Sequence, residues 1–155
     1  MMDSIHIITR AIITSNNHLL VCFDPRRPQN DIYYYLPGGH VEHGESVETS
    51  VIRELKEETG FEFTIEKFLG VFEHYFNPIS SVKVCHNHEY NFLFKVNSKE
   101  MHFKSLLPQI ESHVNFKWIN LNELNNIRLL PSKLITLIPE LLEHNHNSTL
   151  YSVIE

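Results

Sequence analysis

Cysteine is scarce: Cys22 and Cys85 are the two in 155 residues. They cannot form a disulfide framework, so reduced thiols and a cytoplasmic setting are expected. Positive charge is scarce too. Thirteen Lys and Arg against nineteen Asp and Glu give a formal net charge of −6, which argues against a chain built to grip a nucleic-acid polymer through a basic patch. No apolar run approaches a membrane span, and the opening MMDSIHIITRAIITSNN lacks a basic segment followed by a continuous apolar stretch. Neither membrane insertion nor secretion is expected. Repeats, low-complexity tracts and long linkers are missing as well. With 42% hydrophobic residues, the length suits one well-filled core and leaves no room for a second domain. Residues 1–144 are expected to form that single domain, and 145–155 a polar tail in which Leu150 to Ile154 has the pattern of an edge strand. The eleven histidines show no zinc spacing: His86 and His88 stand two apart without a Cys or His-Glu-x-x-His context, and His144 and His146 lie in the polar tail. No structural zinc site is expected.

What the chain does hold is concentrated in Leu36 to Phe61, LPGGHVEHGESVETSVIRELKEETGF. Pro37, Gly38, Gly39 and Gly44 allow tight turns and close backbone approach. A helix is expected from about Ser46, a fitting N-cap, to Thr59, with Gly60 as its stop. Val47, Val51 and Leu55 recur every four residues and give it a flank to bury. Glu54, Glu57 and Glu58 stand at i, i+3 and i+4 and so share one face. Like charges at that spacing cost about a few tenths of a kcal/mol per pair. A hard cation such as Mg²⁺ or Mn²⁺ reverses that penalty, because it takes oxygen ligands and completes its shell with phosphates and water. By itself, RELKEE is equally an ordinary solvated helix face.

The whole string, however, resembles the Nudix box, G-x5-E-x7-R-E-U-x-E-E-x-G-U with U a bulky apolar residue. Gly39, Glu45, Arg53, Glu54, Leu55, Glu57, Glu58, Gly60 and Phe61 fill every fixed position. The resemblance covers 23 residues directly and implies a Nudix hydrolase, in which water attacks a phosphorus of a nucleoside diphosphate linked to another moiety, with Mg²⁺ or Mn²⁺ bound. It further implies Glu54, Glu57, Glu58 and the Gly39 carbonyl as metal ligands, with Arg53 and Glu45 orienting those carboxylates. The general base is left open by the resemblance: a box glutamate, Glu89 on a downstream strand, or Glu111 in the loop before the tryptophan strand. Partners are expected to be small phosphorylated metabolites, with the chain a monomer or homodimer. A Nudix-like binding or sensing module and an isopentenyl diphosphate isomerase-like enzyme are the alternatives. The second would need a reactive cysteine, for which Cys22 and Cys85 offer no context.

Elsewhere, β-branched Ser4 to Thr14, the turn Ser15-Asn16-Asn17 and apolar His18 to Phe23 read as a hairpin. Ile32 to Leu36 reads as a strand, and Glu62 to Phe76 as a long β segment whose phase change predicts a bulge near Glu66-Lys67. Asn77 to Ser81 reads as a loop, His88 to Val96 as a strand covered on both faces, and Val114 to Ile119 as a strand around Trp118, taken as a core aromatic. A last helix is expected from near Pro131, kinked at Pro139. Strands flanking a central helix, with a second helix at the end, indicate an α/β (α+β) chain folded as an α/β/α sandwich around a mixed sheet. For substrate, Arg26 and Arg27 are candidate phosphate donors and Tyr33 and Tyr35, on one strand face, candidate stacking rings. Tyr75 and Pro78 fall near substrate-class positions of the family without clearly matching them.

Overall fold

The computed structural model describes residues 4–77, 86–143, 150–152 and 154. Among the described residues, seven strands and two α-helices follow in the order β1 (Ile5–Ile12), β2 (Thr14–Ser15), β3 (His18–Phe23), α1 (Val47–Thr59), β4 (Thr64–Tyr75), β5 (His88–Asn97), β6 (Asn115–Asn120), α2 (Leu134–Leu142) and β7 (Leu150–Ser152). The strands form two sheets, β1-β5-β4-β7 and β2-β3-β6. The first is mixed, since β1 runs parallel to β5, β4 antiparallel to β5, and β7 parallel to β4.

Strand alternation divides the core in two. Ile12, Leu19, Val21, Phe72 and Leu93 pack with Leu134, Leu137, Ile138 and Leu141 of α2. Their neighbours Ala11, Ile13, Leu20, Cys22 and Phe94 pack with Val51 and Leu55 of α1. Successive side chains of a strand point to opposite faces, so one set of strands buries both helices, and the sandwich follows. Helix α1 begins where Ser46 accepts a hydrogen bond from the Thr49 N–H. It ends where Gly60, at φ 75°, turns left-handed and donates to the Lys56 carbonyl. Pro139 lies inside α2, whose first turn starts at Leu134 rather than Pro131; the Leu134 N–H closes a preceding turn on the Pro131 carbonyl.

Two expectations change. The hairpin is confined to β2 and β3, while β1 continues past it into the other sheet and pairs with β5. Ile32 to Leu36 is not a strand: Tyr34 and Tyr35 make isolated bridges to Leu129 and Cys22. The phase change in β4 does mark a bulge, between Ile65 and Lys67, and a second lies between Phe68 and Gly70. Pro78, Cys85, His144, His146 and most of the Asn77 to Ser81 loop fall outside the described residues. No described helix is long and apolar enough to cross a membrane.

Candidate active site

Strand β1 carries the glycine loop on its free edge. Thr9 donates to the Gly39 carbonyl at 2.8 Å, Ala11 to Pro37 at 2.8 Å, and Val41 to Ile7 at 3.0 Å. The loop passes so close that an added Cβ would meet a neighbour at two positions, backbone at Gly38 and a side chain at Gly39. A Cβ on Gly38, whose φ is 127°, would lie 2.1 Å from the Thr9 carbonyl oxygen, and one on Gly39 would lie 2.4 Å from the Glu54 carboxylate. The loop therefore packs directly on the acidic face of α1.

That face is organised by one guanidinium. Arg53 donates Nε to Glu45 Oε1 (2.8 Å) and Nη2 to Glu45 Oε2 (2.9 Å), the bidentate fork that suits a carboxylate. Its Nη1 reaches Glu54 Oε1 at 2.9 Å and Glu57 Oε2 at 3.2 Å, and Nη2 also reaches the His40 carbonyl at 3.1 Å. Five acceptors match the five N–H bonds of an arginine. The bond from Arg53 holds Glu45 down at about 2. Burial pushes Glu54 up against the pull of Arg53, and pushes the nearly inaccessible Glu58 to about 8, although Arg10 and the Gly38 N–H favour its anion. Glu57 is exposed. The carboxylates thus span buried to solvated along one helix face, and burial makes Glu54 and Glu58 resist ionisation even beside Arg53 and Arg10.

Beside this patch is a cavity of about 600 Å³ whose lining includes Arg10, Tyr33, Tyr35, His74, Phe76 and Glu89. Arg10 joins the two regions. Its Nη1 donates to the carbonyls of Leu36 (3.0 Å) and Gly38 (3.3 Å), and its guanidinium lies 5.9 Å from the centre of the Tyr35 ring. Burial pushes Glu89 up, but bonds from Asn91 Nδ2 (3.0 Å) and His86 Nε2 (2.7 Å), with the charge of Arg10, outweigh it and hold the carboxyl below its usual range.

The sequence-derived candidates therefore fall into three groups. Gly39, Glu45, Arg53, Glu54 and Glu57 come together, Glu58 lies against the neighbouring Gly38 N–H, and Glu89, Tyr33 and Tyr35 line the adjoining cavity. Arg26 and Arg27 are engaged elsewhere. Arg26 forks onto Asp24, while Arg27 bonds Asp31 at 2.6 Å and lies over the Tyr33 ring at 4.7 Å. Glu111 pairs with the exposed His113 at 3.2 Å. Trp118 packs with the α1-side core, and Cys22 is fully buried with its thiol pushed up. Arg10 and the histidines His6, His40 and His86 are additions. Arg10 sits in an apolar strand with no local motif to mark it, and the histidines are far apart in the chain.

Comparison with known proteins bears on the family of the chain as a whole. The NUDIX domain family profile matches residues 5–141. An ADP-ribose pyrophosphatase of Methanocaldococcus jannaschii is 43% identical over 62 residues, which is 40% of this chain and 36% of that protein's length; the chain thus spans little more than a third of that relative. Among solved structures, the E. coli ORF135 protein is similar with a TM-score of 0.67 at 19% identity, over 94% of this chain and 96% of that one. A UDP-X diphosphatase is similar at TM-score 0.67 and 20% identity, over 97% and 68%. These two likenesses show the shared fold, and the profile match extends from β1 to the next-to-last residue of α2. The chain is a member of the NUDIX domain family.

Proposed function

We propose that the chain is a divalent-metal-dependent hydrolase that cleaves the diphosphate of a nucleoside diphosphate linked to another moiety. The observation that carries this reading is the acidic face of α1, where Glu54 and Glu57 share Arg53, the Gly39 backbone packs on Glu54 and Glu58 accepts from the Gly38 N–H, next to a cavity whose lining includes two tyrosines and an arginine. An all-oxygen donor set whose buried members resist ionisation without a cation fits Mg²⁺ or Mn²⁺ better than a softer metal. Glu54, Glu57, Glu58 and the Gly39 carbonyl would hold it, and Glu45 would act through Arg53 to fix their orientation. Such an ion supplies positive charge for the phosphoryl oxygens and lowers the pKa of coordinated water.

The chain's own residues do the rest. Arg10, at the seam between patch and cavity, offers positive charge to the diphosphate. Tyr33 and Tyr35, with ring centres 6.3 Å apart, offer faces to a planar base. Glu89, held ionised, accepts the proton of the attacking water as its oxygen bonds to phosphorus and the bridging P–O bond breaks. ADP-ribose and UDP-linked compounds, named for the relatives, are the first substrates to try. The buried, unactivated Cys22 disfavours isomerase chemistry.

The test is product identification from a panel of nucleoside triphosphates, dinucleoside polyphosphates and nucleotide sugars with Mg²⁺ or Mn²⁺, with and without chelator. Chelator-sensitive release with one preferred substrate is expected, and Glu57→Gln should lower turnover on the order of 100-fold or more without unfolding the protein. A fully active Glu57→Gln enzyme would defeat the ligand assignment. Metal binding without turnover of any substrate would favour a binding module.

A further inference from the structure

One cluster of side chains lies outside the carboxylate patch and touches the reading above only through the bond between His86 and Glu89. His6, His40 and His86 each present a ring nitrogen, and these three atoms lie within 4.8 Å of one another. The backbone brings them together from three segments. His6 is on β1, where its register partner on β5 is Glu89. His40 follows the glycine loop and bridges to Ile8 of β1. His86 precedes β5, where the adjacent Asn87 carbonyl accepts a bond from Phe76 at 2.9 Å. The His6 and His86 rings stack 4.2 Å apart, and the His40 ring stands edge-on to both, at 5.0 and 5.2 Å.

We propose that His6, His40 and His86 form a second cation site, which takes one imidazole-preferring dication of the zinc class rather than the hard cation of the carboxylate face. Three imidazoles are a recurrent set for Zn²⁺ with a fourth position open, and imidazole donors select zinc-like ions over Mg²⁺. Zn–N bonds of about 2.1 Å put the nitrogens of a tetrahedral site about 3.4 Å apart. The surroundings are those of a metal site. Glu89 Oε1 lies 2.7 Å from His86 Nε2, the carboxylate–imidazole contact that fixes a ligand's tautomer and raises its basicity. An entry path exists as well: a surface cleft of about 790 Å³ is lined by His6, His40, Glu42, His43 and Glu45.

The site would clip β1, the glycine loop and the start of β5 together. The His40 carbonyl also accepts from Ser50 Oγ at 3.3 Å and Arg53 Nη2 at 3.1 Å, so the clip is anchored to α1. Zinc binding should therefore raise the unfolding temperature of the whole domain.

The test uses the full chain, freed of metal and kept in millimolar Mg²⁺ to occupy the carboxylate face, titrated with Zn²⁺ by calorimetry. One equivalent is expected at or below about 10 µM. In parallel, long-range proton–nitrogen NMR should show the ring nitrogens of His6, His40 and His86 shifting while those of the surface residue His102 stay. His6→Ala and His86→Ala should each weaken binding at least about 100-fold, whereas His102→Ala and Glu57→Gln should leave it unchanged. The NMR measurement requires no substitution, so a variant that fails to fold leaves the proposal open to refutation. Absence of stoichiometric binding overturns it. So do zinc-induced shifts that spare these three rings, and binding lost in Glu57→Gln but kept in His6→Ala, which would put the ion on the carboxylates.

Discussion

Glu58 offers the sharpest quantitative prediction. Its side chain is buried under the glycine loop, where burial lifts its pKa from an ordinary 4.5 to about 8. A carboxyl whose folded pKa is raised binds its proton more tightly in the native state, so its contribution to stability falls as pH rises above the unfolded value. Linkage between those two values makes the metal-free fold about 3 kcal/mol less stable, through this group alone, at about pH 7.5 than at about pH 5. Glu58→Gln keeps an oxygen to accept the Gly38 N–H, bonded at 3.3 Å in the native side chain, and cannot ionise. Urea unfolding in chelator at the two pH values, for both proteins, isolates the term: wild type should lose about 3 kcal/mol relative to the variant on going to the higher pH. Calorimetry gives an independent check, because cation binding near neutral pH should release about one proton from wild type and correspondingly less from the variant. Parallel pH profiles for the two proteins would refute the buried, protonated carboxyl and the physical basis for its affinity for a cation.

Gly38→Ala combines a φ of 127° with a clash against the Thr9 carbonyl and should cost about 3 kcal/mol or more in chemical unfolding. Gly39→Ala meets the Glu54 carboxylate instead; a side chain can yield, so stability should change by about 1 kcal/mol or less while turnover falls on the order of 100-fold, and an unaffected rate would show that the close approach is not needed. Glu89→Gln should lower kcat by about 100-fold or more and abolish the acidic limb of the kcat/KM profile, a limb expected below the usual carboxylate range because the native group is held ionised there; an unchanged profile would move the base elsewhere.

Legibility in the sequence followed the range of the interactions. The limits of α1 could be read because Ser46 and Gly60 act on their own turn, and the acidic face because helical spacing alone aligns Glu54, Glu57 and Glu58. The bulge near Lys67 showed as a break in alternation. What was hidden depends on distant pairing. β1 looked like half of a hairpin since its parallel partner β5 lies far along the chain, and Ile32 to Leu36 carries strand-type residues but bridges only at Tyr34 and Tyr35. Arg26 and Arg27 are the exception: their partners Asp24 and Asp31 lie two and four residues away, and the composition of the loop alone did not show that the pairs close within it. The meeting of His6, His40 and His86 has no trace in spacing at all, because it is created by strand register.

The saturation of Arg53 limits what can recognise an anion here. A guanidinium with all five N–H bonds committed to Glu45, Glu54, Glu57 and the His40 carbonyl has no donor left for a phosphate, and lysine, with three donors, could not reproduce its frame. Arg26, Arg27 and Arg128 are likewise matched by Asp24 and Asp31. Among the described arginines, Arg10 alone forms no carboxylate ion pair, its recorded bonds going to the neutral carbonyls of Leu36 and Gly38. Among the described arginines, attraction for a polyanion at this site is therefore concentrated in Arg10, so affinity for a phosphorylated ligand should follow the supply of divalent ions more closely than that of an arginine-rich phosphate pocket.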